Sequence, residues 1–229
     1  DFRLSNGKLW QETYDSKHRA DDLLPQAIYG LPEYSTEKIK AANLVAVPGC
    51  YPTASILGLL PVIPYLQKNS KIILDAKSGI SGAGKSSVEN GLEDDIKENF
   101  KSYNVDFHRH QPEIKDFLKT EFNLDHEVIF IPHLLPLFRG EYVTLYCEVT
   151  QNDLNLNDLY ESYYEKHQLV RIKEKGEIAE IKNVINTFYC DISVSYAFQS
   201  NTIVVNSAID NLLKGAASQA IQCLDIMSN

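Results

Sequence analysis

The stretch VAVPGCYPTASILGLLP, residues 45–61, predicts a short β-strand that turns directly into a buried helix. The β-branched residues at its start favour a strand, and Pro48-Gly49 ends it. The apolar run after the turn is long enough for a helix, and Pro52 falls in the first helical turn, where a missing N–H does no harm. We therefore expect Cys50 at the N-terminus of a buried helix.

Cys50 thus stands where a helix favours a reactive thiol. Unpaired backbone N–H groups and the helix dipole stabilise a thiolate, so we expect the pKa of Cys50 to lie below its ordinary value. The same N–H groups can hold an oxyanion that forms on a carbonyl carbon bonded to the sulfur. The other cysteines lie in or beside strand-like and helix-like segments and are interpreted as small buried apolar residues: Cys147, Cys190 and Cys223.

Composition and charge exclude several classes of protein. The chain has 229 residues, of which 44% are hydrophobic, as is ordinary for a globular protein with a sizeable core. The net charge of -9 argues against nucleic acid as the main partner. No stretch approaches the ~18 consecutive apolar residues of a membrane span, so no membrane partner is expected. Scattered cysteines without a secretory signal indicate a reduced, cytoplasmic protein.

Strand-like segments dominate the second half of the chain. The predicted strands are 71–79, 127–133, 141–150, 169–173, 191–198 and 202–208, and the predicted helices are 112–122 and 155–167. From Ile209 to Leu224, apolar residues recur at helical spacing, which predicts one long amphipathic helix. The hairpin-like run of strands after residue 125 favours an α+β fold around an antiparallel or mixed sheet.

The segment His108-Arg109-His110 offers the acid or base that a cysteine nucleophile needs. If the segment is extended, both imidazoles point one way and Arg109 points the other. A metal site is a rival interpretation, but no further ligand lies at a familiar spacing, so none is predicted. A solvated basic patch is the third possibility.

A small-residue loop, SGISGAGKSS (78–87), follows the strand 71–79. It matches neither GxGxxG nor GxxxxGK[ST], and it is equally interpretable as a flexible turn. Its small residues would let a bulky cofactor approach the backbone closely.

Several segments together resemble the N-acetyl-γ-glutamyl-phosphate reductase family of arginine biosynthesis. Besides 45–61, the similar segments, in the family's order, are DFR (1–3), AIYGLPE (27–33), DAKSGISGAG (75–84), HRHQPEI (108–114), PHLLPLFRG (132–140) and DNLLKGAASQA (210–220). The resemblance implies a mixed-sheet or antiparallel-sheet substrate domain of the glyceraldehyde-phosphate dehydrogenase-like type. It also implies a remnant of a Rossmann domain and a long C-terminal helix.

The resemblance further implies how the chain is divided. Residues 1–48 would be the C-terminal remnant of a dinucleotide-binding domain, 49–206 the catalytic α+β domain, and 207–229 a helix that packs back on the nucleotide domain. In the family a glycine-rich phosphate turn lies upstream of DFR, and this chain has no GxGxxG fingerprint. Roughly a hundred residues, most of a small domain, are thus expected in front of Asp1. Without them we expect the chain to bind NADPH poorly.

The reaction that the resemblance implies is the NADPH-dependent reduction of N-acetyl-γ-glutamyl phosphate to N-acetylglutamate 5-semialdehyde and phosphate. It would proceed through a thioester on Cys50. A histidine, His108 or His110, would be the acid or base, with a slight preference for His108, and Glu113 would orient it.

The resemblance also implies binding residues and an assembly. Arg109, Arg139 and Ser78 would bind the acyl phosphate substrate, the two arginines through planar forks suited to carboxylate or phosphate. The residues expected beside NADP are Gly82, Ala83, Gly84 and Asn211, the last near the nicotinamide amide. We expect a homo-oligomer, dimer or tetramer, formed through the sheet of the substrate domain.

Other functions stay open at this stage. A related reductase could act on N-succinyl or carrier-linked glutamyl phosphate, or on aspartyl phosphate, and the preference for NADPH over NADH is undetermined. A non-catalytic binding module or a catalytically inactive fragment, with Cys50 buried and inert, is the alternative from another class.

Overall fold

A seven-stranded mixed sheet carries the core of the computed structural model, which describes residues 1–83 and 93–228. The strands of the chain are β1 (Ile28–Tyr29), β2 (Val45–Ala46), β3 (Lys71–Ser78), β4 (Lys101–Ser102), β5 (Glu127–Leu134), β6 (Glu141–Glu148), β7 (Val170–Ile172), β8 (Cys190–Tyr196) and β9 (Thr202–Ile209). The large sheet has the order β4-β5-β3-β6-β9-β8-β7, and β1 pairs with β2 in a separate two-stranded sheet.

The pairing confirms the predicted α+β fold with a mixed sheet. β6 lies at the centre and pairs antiparallel with β3 and β9, while β3 with β5 and β7 with β8 pair parallel. The expectation of mostly hairpin connections after residue 125 is therefore only partly right. A parallel neighbour needs a long crossover, and a helix precedes β5 in the chain for this reason.

The helices cover one face of this sheet and its ends. They are α1 (Gly7–Tyr14), α2 (Pro32–Lys40), α3 (Cys50–Leu59), α4 (Glu93–Ile96), α5 (His110–Phe122), α6 (Leu156–Tyr164) and α7 (Ser218–Ser228). Helical turns of the 3-10 type span Asp21–Gln26, Leu60–Tyr65, Ile80–Ala83 and Ile181–Asn183. Within the described ranges, none of the helices has the length and apolarity to cross a bilayer.

α3 is the central helix of the core, and every residue from Tyr51 to Leu59 is buried. It packs across β6 and β9 on one side and against α5 on another. From α6, the hydroxyl of Tyr160 donates to the carbonyl of Gly58 at 2.6 Å, and Tyr164 donates to that of Leu57 at 2.5 Å. A helix covered all round needs apolar residues all round, which explains the uninterrupted apolar run in the sequence.

The C-terminal segment differs from the single helix predicted over 209–224. Ile209 is the last residue of β9, a π-helical turn spans Leu213–Ala217, and α7 follows it. The carboxylate of Asp210 accepts the N–H groups of Leu212 and Leu213 at 2.9 and 3.0 Å, and this cap sets where the helical turns begin. α7 packs against α2, within the stretch 1–48.

A buried ion pair joins this C-terminal segment to α2. The ammonium of Lys214, fully buried, lies 2.5 Å from the carboxylate of Glu33, which is also buried. Lys214 donates to the side chain of Gln222 at 3.0 Å as well. Removing one partner of such a pair leaves an uncompensated charge in the core.

We expect Lys214→Met to lower the free energy of unfolding by about 3–5 kcal/mol, because Glu33 loses its counter-ion. Denaturant unfolding measures the change. The double variant Glu33→Met/Lys214→Met should recover much of the loss, since no lone charge remains. As a control, Lys8→Met breaks only the exposed pair with Glu12 and should change stability by less than about 0.5 kcal/mol. Equal losses of stability in Lys214→Met and Lys8→Met would contradict the stabilising role of the buried ion pair.

Candidate active site

Cys50 is the first residue of α3, which confirms its predicted position at a helix N-terminus. The residue is partly exposed. The π-helical turn near the C-terminus forms one wall beside it, because a methyl group added to Gly215 would lie 2.7 Å from the Cβ atom of Cys50 and 3.2 Å from the Cδ1 atom of Ile209. Only glycine allows this close approach.

The turn before Cys50 is held by Glu113, a fully buried residue of α5. One carboxylate oxygen of Glu113 accepts the N–H of Gly49 and the hydroxyl of Tyr29, both at 2.9 Å. The guanidinium of Arg3 lies 3.3 Å from the other oxygen. Glu113 thus holds the Pro-Gly-Cys turn through these hydrogen bonds, and its expected role in orienting His108 stays a prediction.

The two histidines lie next to this turn, and their segment does not adopt the extended conformation that was one possibility. Arg109 has helical backbone angles, and His110 begins α5. The two imidazole centroids are 4.8 Å apart, and each is 5.8 Å from the ring of Tyr51. A methyl group on Gly49 would lie 2.5 Å from Nε2 of His110, so the ring of His110 packs directly on the turn that carries Cys50.

Both imidazoles are neutral at neutral pH. Burial, and to a smaller extent the charge of Arg109, lower the pKa of His108 to about 4. Burial also lowers the pKa of His110 well below its usual range, with His108, Arg3 and Arg109 adding to the effect. Nδ1 of His108 accepts the backbone N–H of His110 at 3.2 Å, while Nδ1 of His110 is buried and has no partner among the described residues.

The prediction of a lowered thiol pKa is wrong for the structure of the chain alone. Although Cys50 keeps some exposure, the surrounding atoms desolvate its thiol and raise its pKa well above the ordinary value. The carboxyl of Glu141 raises it further, and the backbone N–H of Tyr51 opposes this only in part. Desolvation outweighs the helix dipole here, because the dipole contributes about one kcal/mol or less and loss of water costs more.

Glu141 is the site residue that the sequence reasoning missed. It opens β6, is fully buried, and pairs with Ser78 on one side and Ile209 on the other. Burial raises the pKa of its carboxyl to about 8, while hydrogen bonding by the Cys50 thiol lowers it. Neither carboxylate oxygen has a partner of ordinary hydrogen-bond geometry among the described residues. The sequence signal that could have found it is its spacing. Glu141 lies two positions before Val143 in the same strand, so its carboxylate is on the same buried face of the sheet.

Ser78, which was predicted to bind substrate, ends β3, and the glycine-rich segment that was predicted to bind the cofactor follows it. Ser78 is buried, and its hydroxyl donates to the carbonyl of Gly79 at 2.9 Å. Gly82 and Ala83 are exposed in the helical turn that follows. Gly84 lies outside the described residues.

Asn211 ties this loop to the start of β6. Its side-chain oxygen accepts the N–H of Gly140 at 2.8 Å, and its amide nitrogen donates to the hydroxyl of Ser81 at 3.0 Å. A methyl group on Gly82 would lie 3.3 Å from that nitrogen. The amide of Asn211 is thus bonded within the protein, between two loops beside the site.

The two arginines that were predicted to bind substrate differ in their surroundings. Arg109 is exposed, and its charge acts on both histidines. Arg139 is partly exposed and lies 3.3 Å from the buried carboxylate of Asp210. Arg109 is therefore the more open of the two to an incoming anion.

Comparison with known proteins relates this chain to semialdehyde dehydrogenases and N-acetyl-gamma-glutamyl-phosphate reductases. Residues 50–211 match the family described as "Semialdehyde dehydrogenase, dimerisation domain". Two similar curated proteins, both called N-acetyl-gamma-glutamyl-phosphate reductase, are those of Nitrosococcus oceani, 41% identical over 99% of this chain, and Halothermothrix orenii, 42% identical over all of it. The chain spans 66% and 67% of these two relatives, about two thirds of their length.

Solved structures agree on the fold. The aspartate semialdehyde dehydrogenase II of Vibrio cholerae superposes with a TM-score of 0.71 at 16% identity, covering 89% of this chain and 68% of that one. A probable aspartate-semialdehyde dehydrogenase from Pseudomonas aeruginosa gives a TM-score of 0.70 at 13% identity, with coverage of 90% and 68%. At such low identity the likeness concerns the fold alone.

We expect Glu141→Gln to stabilise the protein increasingly as pH rises from 5 to 8. The folded carboxyl ionises near pH 8 and an unfolded one near 4.5, so the unfolded chain releases its proton first and the wild type loses stability across this window. The variant should gain up to about 1.4 kcal/mol per pH unit, a few kcal/mol in total. Denaturant unfolding at pH 5 and pH 8 measures this gain. Glu148→Gln, exposed at the end of the same strand, is the control, and parallel curves for both variants would contradict the expectation.

Proposed function

The chain belongs to the semialdehyde dehydrogenase family, within which its relatives are N-acetyl-gamma-glutamyl-phosphate reductases, and from this premise we propose that it forms and reduces an acyl thioester on Cys50. The proposed reaction reduces N-acetyl-γ-glutamyl phosphate to the 5-semialdehyde and phosphate. One observation supports it most: Cys50 lies at the head of α3, with an imidazole packed on its turn and a carboxyl beside its thiol.

The first step is acyl transfer. The sulfur of Cys50 attacks the acyl carbon, the bond from that carbon to the phosphate oxygen breaks, and a thioester remains. Backbone N–H groups at the helix N-terminus are suited to the negative charge that develops on the acyl oxygen.

A neutral imidazole is proposed to act as the hydrogen-bond donor and acid–base group for that acyl oxygen. The packing of His110 on Gly49 favours His110 over His108, because its ring lies directly on the turn that carries the nucleophile. Its N–H would donate a hydrogen bond to the oxygen, give the oxygen its proton as the tetrahedral intermediate forms, and take that proton back when the C–S bond breaks and the aldehyde forms. Burial is the main cause that keeps His110 neutral, and His108 is then a neighbour whose Nδ1 accepts the backbone N–H of His110.

The anionic groups of the substrate are assigned to arginines. Arg109 is exposed beside both imidazoles, and Arg139 keeps part of its fork exposed next to Asp210. Guanidinium groups bind carboxylate and phosphate through paired N–H donors. We assign Arg109 and Arg139 to these anions, with Ser78 as a further member of the substrate site.

The loop after β3 fits a nicotinamide cofactor. Ser78 stands opposite Glu141 in the sheet, so the residues that follow it begin beside Cys50. Gly82 and Ala83 are exposed and carry no side chain that could block the approach of a ring. NADPH bound against this loop would supply the hydride that reduces the thioester.

The assembly and location are also proposals. The family model is described as a dimerisation domain. On the face of the sheet turned away from α3, Ile73 of β3 is 36% exposed, and its register neighbour Tyr146 is partly exposed. We propose a cytoplasmic homo-oligomer, dimer or tetramer, that buries this face. We also propose that residues 1–48 are the remnant of a nucleotide-binding domain, residues 49–206 the catalytic domain, and residues 207–229 the C-terminal helix.

Incubating the chain with N-acetyl-γ-glutamyl phosphate, without cofactor, should acylate Cys50 and release one phosphate per chain. The thioester forms before any hydride transfer, so the step needs no NADPH. Intact mass and peptide mapping locate the adduct, and a phosphate assay gives the stoichiometry. Cys50→Ser should abolish both signals, whereas Cys147→Ser should leave them intact. An adduct on another cysteine would overturn the proposal, and equal acylation by aspartyl phosphate would reassign the substrate.

Replacing the histidines separates their roles. We expect His110→Asn to slow the production of aldehyde by about 10²-fold or more, because a positioned acid or base contributes at least that much. His108→Asn should cost less than about tenfold, since the hydrogen bond that its ring accepts from His110 comes from the backbone N–H and not from the imidazole. Single-turnover aldehyde formation with saturating NADPH measures both. The reverse order of effects would transfer the acid–base role to His108.

A further inference from the structure

The carboxyl of Glu141 lies at the site, and the proposed mechanism assigns it no part. It is fully buried at the head of the central strand and has no hydrogen-bond partner of ordinary geometry among the described residues. Leaving such a group unpartnered costs stability, so its retention calls for a role. Its neighbour in the sheet, Ile209, lies against the same Gly215 that contacts Cys50.

After burial, the thiol of Cys50 and this carboxyl are the main influence on each other's pKa. Glu141 is the strongest charged influence on the thiol, and the thiol is the hydrogen-bonding influence on the carboxyl. Other titratable groups face the pair from three elements: Tyr51 from α3, Tyr103 from the segment after β4, and Glu113 from α5. Burial raises the pKa values of both tyrosines, that of Tyr103 to about 12, so both stay uncharged. β9 and the π-helical turn contribute Ile209 and Gly215, which do not titrate.

We propose that Glu141 is a catalytic proton carrier for the sulfur: its carboxylate takes the thiol proton as the acyl-enzyme forms and returns it when the thiolate leaves. This inference rests on the proposed function. In the first step the S–H bond breaks, an O–H bond forms on Glu141, and the sulfur pair bonds to the acyl carbon while phosphate departs. In the last step the C–S bond breaks, and the sulfur pair recovers the proton from Glu141.

The competing acceptors for this proton are the imidazoles, and the site disfavours them. Burial lowers the pKa of His108 to about 4 and that of His110 below its usual range, whereas burial raises that of Glu141 to about 8. The usual order of basicity between carboxylate and imidazole is thus reversed inside this site. Glu141 therefore exchanges a proton with the sulfur, and His110 exchanges a proton with the acyl oxygen.

Sharing of one proton has a distinctive consequence for reactivity. Above about pH 8 the pair has lost one proton, and the remaining one lies on either the sulfur or the carboxylate. The fraction that exposes a thiolate then stays constant as pH rises further, until the second proton leaves. In Glu141→Gln the thiol has no carboxyl with which to share a proton, so the thiolate fraction keeps rising with pH until the thiol itself has ionised.

The pH dependence of alkylation tests the shared proton on the full chain. The rate of iodoacetamide addition at Cys50, followed by peptide mass spectrometry from pH 6.5 to 10, should level off above about pH 8 in the wild type. In Glu141→Gln it should keep rising and exceed the wild type by on the order of tenfold at pH 9.5. Glu148→Gln is the matched control and should keep the wild-type shape. Identical profiles for wild type and Glu141→Gln would overturn the inference.

The acylation assay tests the catalytic part. Glu141→Gln should acylate at least about 10²-fold more slowly than the wild type, although its thiol alkylates within about twofold of wild type at pH 7. Unchanged acylation in this variant would overturn the catalytic role. Failure of this inference and failure of the proposed function give different results. If the wild type alkylates with the expected pH profile but is never acylated, the proposed function is wrong, and so is the role of Glu141 in acylation. The shared proton between Cys50 and Glu141 is then still supported.

Discussion

Desolvation at the head of α3 is the constraint on which the rest of the site depends. Two buried carboxyls bracket the turn that carries Cys50: Glu113 accepts the N–H of Gly49, and Glu141 faces the thiol of Cys50. Bringing these groups out of water shifts their protonation more than the helix dipole can. His110, packed on the same turn, is shifted by the same cause in the direction that removes its charge.

These shifts leave the reacting groups mostly uncharged at neutral pH before substrate arrives. The thiol of Cys50 is protonated and the imidazole of His110 is neutral, while the carboxyl of Glu141 is ionised in a minority of molecules, the form that can take the thiol proton, and this minority grows toward pH 8. Arg3 is paired with Glu113, whereas Arg109 is exposed to solvent at the rim of the site. An anionic acyl phosphate would thus meet its counter-charge at the rim and the reacting groups within, where interactions between charges are strong.

The fold supports the site through contacts between segments that are distant in the chain. The π-helical turn after β9 presses Gly215 against Cys50, and Lys214 beside it is anchored to Glu33 of α2. Asn211, before the same turn, links the loop after β3 to the start of β6. The C-terminal segment is therefore part of the wall of the site as well as a partner of α2.

Local patterns in the sequence were enough for the strand–turn–helix around Cys50, the nearby pair of histidines and a mixed sheet, because proline, glycine and apolar periodicity act over a few residues. The same patterns placed the last helix too early, since the cap by Asp210 depends on the end of β9. Only the tertiary structure decided that Glu141, ninety-one positions after Cys50 in the numbering, meets its thiol. It likewise decided that Glu113 bonds Gly49 and that the thiol pKa rises, because burial is a property of the packed whole.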